Sequence, residues 1–222
     1  MMPTPTTRVS RFAAAVISLL GWYGLLLQLY VIIVTARGTS VPVGTAVVNY
    51  FSYFTISTNL LMTLVLALSL WKQPSALGNF CARPTVQSAV AVYIAIVGIV
   101  YSVALRSLWA PEGLQKIADI ILHDATPVLY VLYWLLFVRK NKGEGGLHLS
   151  DVPAWLCYPA IYLVYSMIRG ALTGRYLYPF MDAGSLGYPR VALNIVVLIA
   201  AFLGLSLSFV AVSRWMSKAV MP

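Results

Sequence analysis

Tyr53-Phe54-Thr55-Ile56-Ser57-Thr58-Asn59-Leu60-Leu61 sets Thr55, Ser57, Thr58 and Asn59 inside a stretch otherwise apolar enough to cross a bilayer. In lipid, each unsatisfied donor or acceptor costs free energy, so polar groups there face a partner helix, a water-filled cavity or a substrate. The stretch reads as a spanning helix with one polar face. Ser52, Thr58 and Asn59 lie one helical turn to either side of Thr55 and share that face. An isolated membrane threonine commonly bonds its own backbone one turn back. Here the amide and the extra hydroxyls favour a site. The Asn59 carboxamide can donate to a developing oxyanion, or tie its helix to a neighbour.

The rest of the chain agrees with a membrane class. Hydrophobic residues make up 60% of the sequence and charged ones 9%, against roughly 25% charged in soluble domains. The 222 residues suffice for one all-α integral membrane domain, 1–222, with little left for a soluble one. A net charge of +9 fits loops held on the cytoplasmic side. Nucleic acid is excluded as a partner, because the basic residues are scattered without an aromatic-rich polar face.

Apolar runs and their breakers predict a six-transmembrane helix bundle with spans at about 9–35, 45–70, 85–108, 114–138, 153–170 and 189–212. The first run begins like a signal peptide. It is too long for one, since signal cores span about 7 to 15 residues and a spanning helix needs about 20. Arg37 to Pro42, Trp71 to Pro74, Trp109 to Pro111 and Arg139 to Lys142 supply the stops. Gly143 to Val152 and Ala171 to Tyr188 read as loops. Arg8, Arg11, Lys72, Arg83, Arg139, Lys140, Lys142, Arg214 and Lys218 fall on one side; Arg37, Arg106, Lys116, Arg169, Arg175 and Arg190 fall on the other. This bias puts both termini in the cytoplasm, in the plasma (inner) membrane. Trp71, Trp155 and Trp215 then mark inner helix ends and Trp109 an outer one. Cys81 and Cys157 fall on the reducing side, so no disulfide is expected.

Under this topology Thr55 lies roughly 15 Å and His123 about 13 Å below the outer ends of their spans, at 1.5 Å per residue. His123 is an intramembrane ionisable residue, hence a candidate catalytic base as well as a packing histidine. No second histidine or cysteine shares its depth, so neither a metal site nor a cofactor is expected. Pro127 leaves the His123 carbonyl without its helical donor and loosens the helix there. Thr126, Tyr130 and Trp134 continue the His123 face, as helix packing or as a cavity wall. Asp119, one turn earlier, can orient the imidazole; a surface carboxylate at the helix mouth is the plainer reading. Asp124 points about 100° away from His123.

The patch from Tyr53 to Leu61, with His123-Asp124-Ala125-Thr126-Pro127 and Tyr178-Pro179-Phe180, resembles the androgen-induced gene 1-like six-transmembrane family, in its prokaryotic branch. That resemblance implies a threonine hydrolase acting on fatty acid esters of hydroxy fatty acids or similar long-chain esters. Thr55 matches the nucleophile and His123 the base. The implied substrate enters from the lipid bilayer, and its free carboxylate needs a cation. Arg106 and Arg169 are the candidates, with Tyr162 and Tyr165 on nearly the same face as Arg169. Snorkelling to the interface is the alternative role for both arginines. A different class remains open: a non-catalytic protein that binds or transports a lipid or small amphiphile through His123, Arg106 and Asn194.

Overall fold

The computed structural model describes residues 7–70, 75–138 and 146–219, and all regular structure among them is helical. The chain divides into two compact units, Met1–Gly146 and Leu147–Pro222. The stops predicted at Trp71 to Pro74 and at Arg139 to Lys142 lie outside the described residues, as do Gly143 to Gly145 of the predicted loop that follows.

The first unit opens with α1 (Arg8–Arg37), whose amino end is capped by Thr7 accepting from the Ser10 amide. Its buried face carries Ser10, Ala14, Ser18, Gly21 and Gly24. Small residues let membrane helices approach closely. A Cβ on Gly21 would sit 2.2 Å from Thr63 Cγ2, and Ser18 donates to the Thr63 carbonyl at 3.0 Å. The stripe therefore seats α1 against the helix that carries the polar patch.

That helix is not continuous. α2 (Val43–Ser52) and α3 (Phe54–Ser69) are bent by 69° at Tyr53, which is extended (φ −77°, ψ 137°). Neither proline nor glycine stands at the break. Hydroxyls competing with the backbone replace them: Ser52 donates to the Val48 carbonyl at 2.7 Å and Ser57 to the Phe54 carbonyl at 3.1 Å. Tyr50 pins α2 to α1 by donating to the Leu25 carbonyl at 2.8 Å. Leu25, Tyr50, Ile56 and Leu122 close a buried apolar cluster beside the bend.

After a short α4 (Ala76–Cys81), α5 (Pro84–Val100) continues through a π-helical turn at Tyr101–Leu105 and a 3₁₀ turn at Arg106–Leu108. α6 (Gly113–Ile120) runs through a second π-helical turn, Ile121–Ala125, into α7 (Thr126–Phe137). The second unit holds α8 (Val152–Thr173), the short α9 (Ala183–Leu186) and α10 (Tyr188–Ala219). Within it, Asn194 donates to the Phe180 carbonyl at 2.8 Å, and Tyr178 stacks on Phe180 with centroids 5.3 Å apart.

Among the described residues four helical stretches are long and apolar enough to cross a membrane, Arg8–Arg37, Pro84–Leu108, Gly113–Phe137 and Tyr188–Ser217; the bent pair makes a fifth. α8 has 22 residues, but its tyrosines, prolines and Arg169 leave it less apolar than the others. Trp109 and Trp215 are exposed at helix ends, as interfacial residues are, whereas Trp155 is buried. Both cysteines are free thiols, Cys81 buried and Cys157 exposed.

Candidate functional site

The break at Tyr53 makes Thr55 the second residue of α3, in its first turn. The first-turn amides of an α-helix lack intrahelical partners, and the helix dipole places positive charge there. Thr55 itself is buried, and its carbonyl accepts from the Asn59 side chain at 2.9 Å.

Asn59 is fully buried and fully committed. Its Nδ2 donates to the Thr55 carbonyl and, at 3.1 Å, to the Leu122 carbonyl; its Oδ1 accepts from the Thr126 hydroxyl at 2.6 Å. Turning the amide over would set its oxygen against two carbonyls. Asn59 is therefore the tie between α3 and the π-helical turn, and both its N–H groups are occupied. The oxyanion role expected as an option for Asn59 does not fit this arrangement.

The π-helical turn follows from Pro127. Lacking an N–H, it cannot bond the His123 carbonyl, and the turn widens just before it. Gly98 makes room on the facing helix, where a Cβ would lie 3.2 Å from the His123 carbonyl and 3.1 Å from Pro127 Cβ. Single π-helical turns are rare and concentrate at functional sites. Here one contains His123 and the other begins at Tyr101.

His123 Nδ1 lies 3.1 Å from the Asp119 carbonyl and 3.0 Å from the Asp119 carboxylate Oδ1. The bond angle is met at the carbonyl, and the carboxylate approach is a close ion-pair contact. Both neighbours only accept, so Nδ1 carries the proton, which leaves Nε2 with the lone pair in the neutral ring. Asp119 is buried, 5% exposed, which overturns the plainer reading of a surface carboxylate. Its other oxygen accepts from the Tyr101 hydroxyl. The Tyr101 ring stacks on the imidazole with centroids 4.0 Å apart and planes 15° apart.

Compared with known proteins, the chain matches no family model, no curated protein and no solved structure.

The other expected site residues divide sharply. Arg106 lies beside the cluster, its guanidinium carbon 5.0 Å from the Tyr101 ring centroid. It is not a free cation: it pairs with Asp124 and donates to Ser102 Oγ at 3.2 Å. Tyr130 and Trp134 are 0% and 1% exposed; the first donates to the Gln87 carbonyl at 3.3 Å, the second to Ser88 Oγ at 2.7 Å. They pack α7 onto α5 and leave no face for a substrate, which corrects their reading as a cavity wall. Arg169 and Tyr165 belong to the second unit, on α8, where Arg169 donates to the Arg175 carbonyl at 3.5 Å and Tyr165 is exposed beside Tyr162.

Among the described residues no hydrogen bond joins Thr55 to His123, although α3 and the π-helical turn are in contact through Asn59. Tyr101 is the residue that sequence reasoning missed. It lies roughly 10 Å below the outer end of its predicted span at 1.5 Å per residue, a depth similar to that of His123. That depth was the available signal.

Proposed function

We propose that this chain is an intramembrane lipid-ester hydrolase with His123 as general base and Thr55 as nucleophile. The observation that carries the reading is the Asp119–His123 pair, a buried carboxylate 3.0 Å from Nδ1 in a bilayer-length helix. Taking a carboxylate out of water costs several kcal/mol, an expense that packing alone does not explain. The Asp119 carbonyl holds the base in one tautomer, and the carboxylate beside it offers a counter-charge to the imidazolium that proton transfer creates.

In the proposed reaction His123 Nε2 takes the Thr55 hydroxyl proton as Thr55 Oγ1 attacks the ester carbonyl. A backbone N–H beside Thr55 receives the developing oxyanion. The tetrahedral adduct expels the alcohol, which leaves with the proton from His123. Water, deprotonated by His123, then attacks the acyl-threonine, and collapse of the adduct releases the acid as His123 returns the proton to Thr55 Oγ1. The resemblance of the stretches around Thr55 and His123 to the androgen-induced gene 1-like family favours this assignment and suggests fatty acid esters of hydroxy fatty acids, or similar long-chain esters, as substrates. Counting α8 as a span gives six, and the Lys/Arg bias then sets both termini in the cytoplasm of an inner membrane. Thr55 and His123 must approach to about 3 Å, a distance that tightens in many enzymes only once substrate is bound.

A second reading, lipid binding without covalent chemistry, is favoured by one observation: Thr55 and His123 share no hydrogen bond among the described residues. Purified protein incubated with a long-chain lipid ester separates the two. The hydrolase reading expects acid release that is lost in Thr55→Ala and in His123→Ala. Undiminished hydrolysis by folded Thr55→Ala rules it out, and lipid retention without hydrolysis in all three proteins supports the binding reading.

A further inference from the structure

We propose that Tyr101 is a positioning residue that holds the Asp119–His123 pair as one rigid unit; its effect on turnover rests on the hydrolase reading above. One side chain touches both members of the pair. The phenol donates to the Asp119 oxygen turned away from His123, and the ring lies against the imidazole face at 4.0 Å. Tyr101 is itself 4% exposed, so water does not compete for either contact.

His123 Nδ1–H bonds the Asp119 carbonyl, and the carboxylate oxygen facing it, Oδ1, makes no hydrogen bond of its own. The Tyr101 phenol, from another helix, is therefore the donor that limits rotation about Cβ–Cγ and keeps Oδ1 facing Nδ1. The Tyr101 ring sets the tilt of the imidazole and so the direction of the Nε2 lone pair. When His123 takes a proton, the ring also presents its negative face to the new cation, adding an attraction that exists only in the charged state. Arg106 sits over the same tyrosine ring at 5.0 Å with its charge balanced by Asp124, so it stabilises the tyrosine without opposing the imidazolium as an unpaired cation. The two π-helical turns bring this about, since Tyr101 opens one and His123 lies in the other.

The bland alternative is that Tyr101 only satisfies a buried carboxylate oxygen. Two measurements on the full chain in detergent separate the roles. In ¹⁵N-histidine-labelled protein carrying His148→Gln, the remaining side-chain signal is that of His123. Positioning predicts a protected Nδ1–H whose solvent exchange quickens about 10- to 100-fold in Tyr101→Phe, the range for losing a hydrogen bond to a charged group. An exchange rate and chemical shift unchanged by Tyr101→Phe overturn the proposal. Where Tyr101→Phe fails to fold, Tyr101→Gln keeps a donor without the ring. Its signal must exchange more slowly than that of Tyr101→Leu, and equal rates overturn the proposal. In the hydrolysis assay, kcat is expected to fall about 10- to 100-fold in Tyr101→Phe with KM within about twofold. Retained kcat overturns the proposal. If the wild-type chain hydrolyses no ester, the hydrolase reading falls while the exchange measurement still decides the role of Tyr101.

Discussion

Replacing Asn59 by leucine tests whether this residue ties two helices or serves the chemistry. Leucine approximates the shape of asparagine and removes one bond within α3 and two bonds across the interface, to the Leu122 carbonyl and from Thr126. Interhelical hydrogen bonds in membrane proteins average about 0.6 kcal/mol and reach about 1.7, so two lost bonds bound the effect at ~1.2 to ~3.4 kcal/mol. Thr126 has a second acceptor, the Leu122 carbonyl 3.5 Å away. On losing Asn59 it can turn there, which satisfies its own hydroxyl and that carbonyl together. The expected loss is therefore the lower part of the range, about 1 to 2 kcal/mol. Unfolding by added SDS in mixed micelles, followed by circular dichroism, measures it. A double-mutant cycle with Thr126→Val should return a coupling of about 0.6 to 1.7 kcal/mol. The reasoning fails if Asn59→Leu unfolds at the wild-type midpoint. It also fails if a fully stable Asn59→Leu loses about 10²- to 10³-fold in kcat, the signature of a missing oxyanion donor.

Gly21→Ala drives a methyl to within 2.2 Å of Thr63 Cγ2, and overpacking of this kind typically costs about 1 to 3 kcal/mol; Gly204→Ala, which meets nothing within 4 Å, serves as the control in the same SDS unfolding experiment. Gly98→Ala presses at 3.2 Å on the His123 carbonyl and at 3.1 Å on Pro127, and should lower the unfolding midpoint by less than Gly21→Ala while changing the His123 side-chain NMR signal. Burial pushes the Cys81 thiol above its ordinary value, so the neutral thiol persists to higher pH and the thiolate that reacts with alkylators appears later. Iodoacetamide at about pH 8 should label exposed Cys157 and spare Cys81, with labelling of Cys81 in Cys157→Ser growing only on further alkalinisation; rapid labelling at neutral pH contradicts the assigned burial.

What the sequence made legible, and what it hid, follows from the range over which each signal acts. Length and apolarity are local sums, and they located α1, the helical stretches Pro84–Leu108 and Gly113–Phe137, and α10 to within a few residues, the last apart from its longer carboxyl end. The break at Tyr53 escaped because periodicity looks for proline or glycine, whereas the bend is accompanied by Ser52 and Ser57 bonding their own backbone. That break changes the meaning of Thr55, from a hydroxyl midway along a helix to one in its first turn. Pro127 was informative in the other direction, because a missing N–H acts on its own helix, and the π-helical turn lies there. Asp119 was misplaced for a different reason. Whether a carboxylate at a helix mouth is wet or buried depends on the neighbour that covers it, and that neighbour, Tyr101, comes from another span. A phenol raises no alarm in an apolar helix, since tyrosine is a common membrane residue, and only its depth beside His123 singles it out. The chemistry of this site is thus written in pairs across helices, Asn59 with Leu122 and Tyr101 with Asp119, while the sequence presents each member alone.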